Sequence, residues 1–530
     1  MTLLITAGDS DLARAIAAHF AAEMPVLLFD RAFHTTAPEN VRPIVGDLRE
    51  PNQIAAALTG VQAVLHLAPI LPTRHSDDIT ALDEATRGSF VLFNAARAAG
   101  VPRIILAGSL ALFDRFPAHY QVNEVWRPRP EPVLEQLSPW LAELSMRENA
   151  RASGVRAICL RFGTIVDDAH AASRPYDPRW VHQDDAIQAI RCALSYDGPH
   201  WSVFHVMAAG PRAKLRLAHA LSAQPSFGYQ PTHDFRAYWT SLRDQPRDQR
   251  PWRAILAPKQ IPSRPIRRVV IFGAGGPMGA VTTNELLCSY TLRATDLRPI
   301  ADIAAEARPQ APGAPLPTPL SAPHENTMVD VRDPQQVLTA CVGMDAIINC
   351  TVVRPDPVNA FLVNTIGAYN VMTAAVAHNI RRIVHTGPLL QHLPGLGDYL
   401  WDYDLPVDAP ARPYDHLYIH SKYLGQEICR VFAEYYGLEV PALLFMLLFN
   451  PEIPTGSSPF MISWPDTGRA LRRALEVTSF PAPFTMVNIS ADLPHGRFDH
   501  DKAHRVLDWF PRDGLDDFWQ DPQSGDGTQH

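Results

Sequence analysis

Arg268-Val-Val-Ile-Phe-Gly-Ala-Gly-Gly-Pro-Met-Gly279 runs an apolar strand into a glycine-rich turn and on into the start of a helix. The next apolar stretch, Thr291-Leu-Arg-Ala-Thr-Asp296, ends in a carboxylate. The same outline stands at the N-terminus, where Leu3-Leu-Ile-Thr-Ala-Gly-Asp-Ser-Asp-Leu-Ala13 is followed by Val26-Leu-Leu-Phe-Asp30. Further pairs keep the order. Val45-Gly-Asp47 parallels Val329-Asp330, Ala63-Val-Leu-His-Leu-Ala68 parallels Ala346-Ile-Ile-Asn-Cys350, and Arg103-Ile-Ile-Leu-Ala-Gly-Ser109 parallels Arg382-Ile-Val-His-Thr-Gly-Pro388. Amphipathic stretches of helical length, such as 90–99 and 364–377, fall between the strands. Such an alternation, found twice, predicts an α/β fold with one doubly wound parallel sheet in each half and a small C-terminal part after it.

At 530 residues the chain exceeds the ~250–300 residues at which a single core usually divides. Residues 1–250 and 266–530 are therefore read as two domains. Between them, 251–265 belongs to a stretch rich in Pro, Arg and Gln that lacks periodicity and reads as an extended linker. A Pro/Ala-rich insertion, Arg308 to Pro323, reads as an exposed loop.

With 46% hydrophobic and 19% charged residues and a net charge of -8, the chain has a globular composition and no basic stripe for nucleic acid. The six cysteines are scattered, several of them in apolar runs, and read as buried small hydrophobes. No metal-ligand spacing of Cys and His is present, so no metal is expected. No basic segment precedes the strand at Leu3. The longest apolar run considered, Pro441 to Phe449, falls short of the ~20 residues that span a bilayer. A cytoplasmic protein with a small-molecule substrate and no membrane partner is the expectation.

The glycines Gly273, Gly276 and Gly279 sit where a strand turns into a helix. There the backbone can approach a pyrophosphate and the helix N-terminus supplies amide donors. Asp296 is placed to accept hydrogen bonds from the adenosine ribose, which favours NAD. Arg298 nearby leaves NADP open. Asp330, after the third strand, completes the candidate cofactor set. Further on, Tyr418-Ile-His-Ser-Lys422 puts a phenol and an ammonium four residues apart on one helix face. A phenol ionises near pH ~10, and a neighbouring cation brings it towards working range.

On these residues, 266–515 resemble an extended short-chain dehydrogenase/reductase of the NAD-dependent epimerase/dehydratase family. The resemblance also rests on Asn364-Thr-Ile-Gly-Ala-Tyr-Asn370, on Asp404-Leu-Pro before Tyr414, and on Lys502-Ala-His-Arg-Val-Leu-Asp-Trp-Phe-Pro511. It implies a Rossmann-type domain binding NAD(P), with Tyr418 as acid/base. Lys422 would bind the nicotinamide ribose and lower the tyrosine pKa. The family's polarising Ser/Thr falls at Gly387 or Pro388, beside the hydroxyl of Thr386. Met446 stands where many members place an arginine, and an aromatic loop from Pro388 to Tyr414 would overhang the pocket.

The first half resembles the same family with its motifs eroded. Ala7, Ser10 and Ala13 replace the glycines, and Asp9 and Asp11 lie beside the phosphate site. Trp140 and Leu144 replace the tyrosine and lysine, while Ser109 and Arg161 are kept. Because such proteins commonly dimerise through two helices per subunit, the resemblance implies an intramolecular pseudo-dimer. Helices 84–100 and 140–153 would meet 357–379 and 416–437, leaving further oligomerisation open. Three functions follow. The first is an NAD(P)-dependent oxidoreductase whose first half is a scaffold. The second is an epimerase, dehydratase or lyase acting on a sugar nucleotide or other small molecule. The third is a non-catalytic dinucleotide sensor or interaction protein.

Overall fold

Leu3, Leu4 and Ile5 in one half and Val269, Val270 and Ile271 in the other are fully buried on both faces of their strands. That burial is what a parallel sheet covered by helices on each side requires. The computed structural model describes residues 1–116, 120, 122–177, 179–208, 227–238, 258–306, 313–389, 411–452, 460–492 and 501–514. It divides into two units, Met1–Ala257 and Pro258–His530.

The first unit contains β1 (Leu3–Thr6), β2 (Val26–Asp30), β3 (Val41–Val45), β4 (Ala63–His66), β5 (Arg103–Ser109), β6 (Arg156–Phe162), β7 (Thr164–Val166), β8 (Trp180–His182) and β9 (Trp201–Val206). The second contains β10 (Arg268–Phe272), β11 (Thr291–Asp296), β12 (Glu325–Met328), β13 (Ala346–Asn349), β14 (Arg382–Pro388), β15 (Val440–Phe445), β16 (Leu447–Phe449), β17 (Met461–Ser463) and β18 (Phe484–Asn488). Seven strands form each main sheet, in the orders β3-β2-β1-β4-β5-β6-β9 and β12-β11-β10-β13-β14-β15-β18. The order reverses between β1 and β4, and between β10 and β13. Ligands of doubly wound sheets bind outside the strand C-termini at that point. The fold is thus the predicted one, a doubly wound α/β sheet in each unit.

The likeness extends to irregularities. One turn of π-helix interrupts the helix after β4 at Glu84–Gly88, and another interrupts the helix after β13 at Leu362–Ile366. Residues 258–265, read as linker, lie on the second unit: the Lys259 amide donates to Tyr435 O, and Arg264 pairs with Asp345. The remainder of that linker, 251–257, lies outside the described residues, as do 308–312 of the insertion.

The helical run Pro357–Ala377 is long and apolar enough to cross a membrane by length and composition, and it exceeds the run Pro441 to Phe449. Its buried share is 67%, and Phe361, Ile366, Met372 and Ala375 are fully enclosed, as in the core helix of a globular unit.

Candidate cofactor and active site

β10 delivers the chain into the glycine turn with Gly273 at φ +80°, a left-handed conformation that favours glycine. The amides of Gly273 and Ala274 both donate to Thr295 O, at 3.0 and 2.9 Å, which ties the turn to β11. Gly279 faces this turn so closely that a Cβ on it would lie 2.2 Å from Gly273 O. Gly276 is different in kind. It is the N-cap of the helix Pro277–Leu286, and no side chain caps that helix. Its first-turn amides are therefore left for an anion.

Asp296 ends β11 beside this turn and accepts from the amides of Gly275 (2.9 Å) and Leu297 (2.8 Å). Burial raises its pKa against the pull of those amides and of Arg298. Asp296, Gly273, Gly275 and Gly276 line one cavity of about 500 Å³ with Arg298 and residues 329–332 and 350–353. The Arg298 guanidinium is held by Glu306. The Asp330 carboxylate is also committed, gripped by Arg332 at 2.6–2.9 Å. Arg332 holds it below the ordinary carboxylate range.

The helix Leu417–Tyr436 carries Tyr418, half-buried, and Lys422, 2% exposed. Lys422 Nζ donates to Thr351 O (2.8 Å), at the cavity edge, and to Thr386 O (3.1 Å). Burial lowers its pKa to about 8. Tyr418 is raised by burial, and the cation that opposes this is Arg354, whose guanidinium lies 5.2 Å from the ring centroid. Sequence reasoning missed Arg354. It follows β13 in a loop with no motif of its own, and only the fold brings it to the tyrosine.

Thr386, the candidate polarising hydroxyl, is buried in β14 and donates to Asn349 O at 2.9 Å. It does not line the cavity. A side chain at Gly387 would meet Gln426 Nε2 at 1.9 Å, so a serine there would have to displace Gln426. The position of the sixth-strand arginine also changes. Gly108 pairs with Arg161, and Gly387 pairs with Leu444, so Leu444 rather than Met446 occupies the place of Arg161. Of the aromatic loop, Tyr399, Trp401 and Tyr403 lie outside the described residues, as does Asp404. Tyr414 is described, and its carbonyl binds His420 Nδ1 at 2.7 Å.

In the first unit the same backbone is closed by side chains. Asp9 N donates to Asp30 Oδ2 (3.1 Å) as Gly275 N does to Asp296. Ser10, in the place of Gly276, caps the helix Asp11–Phe20 by accepting from Ala13 N. Arg74 Nη1 contacts both oxygens of Asp30 at 3.0 and 3.1 Å, and Arg74 also binds Glu84. Burial raises the Asp9 pKa, but hydrogen bonds from His34 and Thr35 outweigh it and hold Asp9 at about 2. The helix Leu134–Arg151 contains neither tyrosine nor lysine, and its Glu143 forms a buried two-point pair with Arg161 at 2.6 and 2.9 Å. A second cavity of about 580 Å³ remains at the ends of β5 and β6, lined by Ser109, Phe162, Thr164, His170 and Arg179 among others.

Among the described residues one group of metal-ligating types converges, His182, Asp184 and His233, with ligand atoms within 4.8 Å. The two rings are stacked 3.7 Å apart at 21°, so their in-plane lone pairs run side by side instead of meeting on one ion.

The model of a family described as NAD(P)H-binding matches residues 10–187, within the first unit. No curated protein matches the chain in sequence. Uronate dehydrogenase from Agrobacterium tumefaciens is similar in structure, with 20% identity over 47% of this chain and 91% of that one and a TM-score of 0.40. Glucuronic acid dehydrogenase from Chromohalobacter salexigens shares 19% identity over 47% and 91%, with a TM-score of 0.39. A UDP-galactose 4-epimerase shares 15% over 46% and 93%, with a TM-score of 0.37.

Proposed function

We propose that the second unit is an NAD-dependent oxidoreductase of the short-chain dehydrogenase/reductase type, acting on a small-molecule alcohol or carbonyl. The first unit is its nucleotide-free scaffold. The observation that carries this reading is the uncapped helix N-terminus at Gly276 beside Asp296 in one cavity. A pyrophosphate fits the free amides of that helix, and a ribose diol fits the carboxylate. With Arg298 engaged by Glu306, no described guanidinium beside Asp296 is left to receive a 2′-phosphate, which favours NAD over NADP.

The cofactor, when bound, supplies or accepts hydride. The chain's own part is to move a proton at the Tyr418 oxygen and to fix the strand ends. Lys422 links Thr351 O to Thr386 O across β13 and β14, where the reacting end of a dinucleotide is expected in this fold. The first unit is assigned no nucleotide because Ser10 and Arg74 already occupy the groups that would receive one.

Fluorescence titration of the full chain with NADH and with NADPH tests the reading. One NADH site per chain, with NADPH weaker, is expected. Two sites per chain would overturn the scaffold role, and no binding would end the dehydrogenase reading. A Tyr418→Phe variant that binds NADH yet turns over substrate at full rate would overturn the proton-transfer role. A turnover that returns the cofactor unchanged would favour the epimerase reading instead.

A further inference from the structure

The loop after β13 is pinned more tightly than an exposed loop needs. Asn349 Oδ1 accepts from the Thr351 amide and hydroxyl, at 3.2 and 2.7 Å. Lys422 holds Thr351 O. Asn364, 2% exposed, then uses both ends of its amide on the next residue but one: Val353 N donates to Oδ1 at 3.1 Å, and Nδ2 donates to Val353 O at 2.7 Å. Its remaining N–H donates to Ser421 Oγ at 3.0 Å, on the helix that bears Tyr418. Three clamps within five residues fix the direction in which Arg354 leaves the loop.

Arg354 leaves it over Tyr418. Its guanidinium stands 5.2 Å from the ring centroid and within hydrogen-bond reach of the phenol oxygen. It is exposed, and among the described residues it has no ion pair. Lys422, on the same helix, spends its ammonium on two backbone carbonyls. Among the described residues, the other titratable groups on the elements next to Tyr418 have roles of their own. Asp356 caps the helix Pro357–Phe361 through Val358 and Asn359. His385 on β14 is kept neutral by burial, and Arg382 pairs with Glu439 at the far end of that strand. Asp415 and His416 precede Tyr418 in the chain, and the His416 ring caps the helix through Ile419 N.

We propose, building on the reading of Tyr418 as acid/base, that Arg354 is its charge partner in place of Lys422, and that the same guanidinium receives a carboxylate on the substrate. An unpaired guanidinium over an acid/base tyrosine supports the phenolate when the site is empty. When substrate arrives, its planar N–H fork matches a carboxylate. The substrate class is then a hydroxy or oxo acid.

The test is selective ¹³Cζ labelling of the 14 tyrosines of the full chain, with the Tyr418 resonance assigned by its loss in Tyr418→Phe. The Tyr418 titration midpoint is expected to rise by about one unit or more in Arg354→Met, and to return most of the way in Arg354→Lys. It should move little in Lys422→Met. A midpoint unmoved in Arg354→Met but raised in Lys422→Met would overturn the pairing. Acetate and acetamide, small enough to enter any cleft, then probe the second role. Acetate should shift the Tyr418 resonance of the wild type but not that of Arg354→Met, and acetamide should shift neither. An equal response to both probes, or to none, would overturn the carboxylate assignment. Because the resonance is read without nucleotide, failure to bind NADH would refute the dehydrogenase reading and leave this pairing standing.

Discussion

Gly276→Asp separates binding from folding at the glycine turn. At Gly276 the backbone has φ −71° and ψ 160°, ordinary for any residue, and an added Cβ would meet only Gly273 O, at 3.4 Å. The aspartate would also sit at an N-cap, where that residue is favoured over glycine by a few tenths of a kcal/mol. The fold should therefore tolerate it, as the first unit tolerates Ser10 at the corresponding place. The carboxylate, however, would take the amides meant for a phosphate and stand beside it. Two unit charges roughly 5 Å apart at an effective dielectric constant near 20 repel by about 3 kcal/mol, or about two powers of ten in affinity. NADH fluorescence titration should show at least that loss, while the thermal midpoint stays at the wild-type value or slightly above it. An unchanged NADH affinity would place the nucleotide elsewhere and refute the reading of the turn. A collapsed melting transition would refute the argument that Gly276 is structurally free.

Gly279→Ala should do the reverse. Its Cβ would stand 2.2 Å from Gly273 O and 2.5 Å from Ala274 Cα, so overpacking of about 1–3 kcal/mol should lower the melting point of the second unit along with NADH binding. Lys422→Met should stabilise. Burial lowers the lysine pKa from 10.5 to about 8, so below pH 8 the native state carries a charge penalty of up to about 3 kcal/mol that methionine removes. Loss of a donor to two carbonyls offsets part of this gain, which should fade in urea titrations as the pH rises from 8 towards 10.5. His420 is buried neutral, its pKa lowered by burial from 6.5 to about 4. The unfolded chain therefore takes up the proton first as pH falls through 6.5, and up to about 3 kcal/mol of second-unit stability should drain away by pH 4. Urea midpoints against pH for the wild type and for His420→Gln should converge on the acid side.

The fold was legible because its signals are local. An apolar strand, a turn of fixed chemistry and a helix start can be read within twelve residues, and the alternation of strands and helices then follows from repetition. The cofactor turn was legible for the same reason. What failed to be legible depends on contacts between distant segments. Thr386 looked available by sequence distance, but its hydroxyl is used within the sheet on Asn349 O. Asp330 does line the cavity, but its pairing with Arg332 two residues on was not legible in the sequence. Met446 stands two residues beyond Leu444, an offset that strand register corrects. Arg354 carried no signal, since an exposed arginine in a loop is ordinary until a tyrosine 64 residues later is packed under it.

The two units act as an internal control on which residues build the fold and which serve a ligand. Both sheets share one strand order, both glycine-type turns send an amide to the carboxylate at the end of the second strand, and both helices after the fourth strand carry a π turn. Those features persist where the side chains facing the crevice differ, so they are requirements of the architecture. Even the left-handed turn residue survives as Ala7 at φ +57°, although alanine adopts that conformation at a cost and glycine does not. What differs is the set of groups facing the crevice. An open helix end is capped by Ser10, an accessible carboxylate is clamped by Arg74, and the Tyr/Lys helix is replaced by one that buries Glu143 against Arg161. The first two replacements satisfy from within the chain groups that the second unit leaves open, the first-turn amides and the carboxylate after the second strand. A crevice whose polar groups are already paired gains little from a dinucleotide and loses bonds to admit one. That physics supports the proposal that the second unit binds the dinucleotide; the family match falls on the first, and counting NADH sites per chain decides between the two.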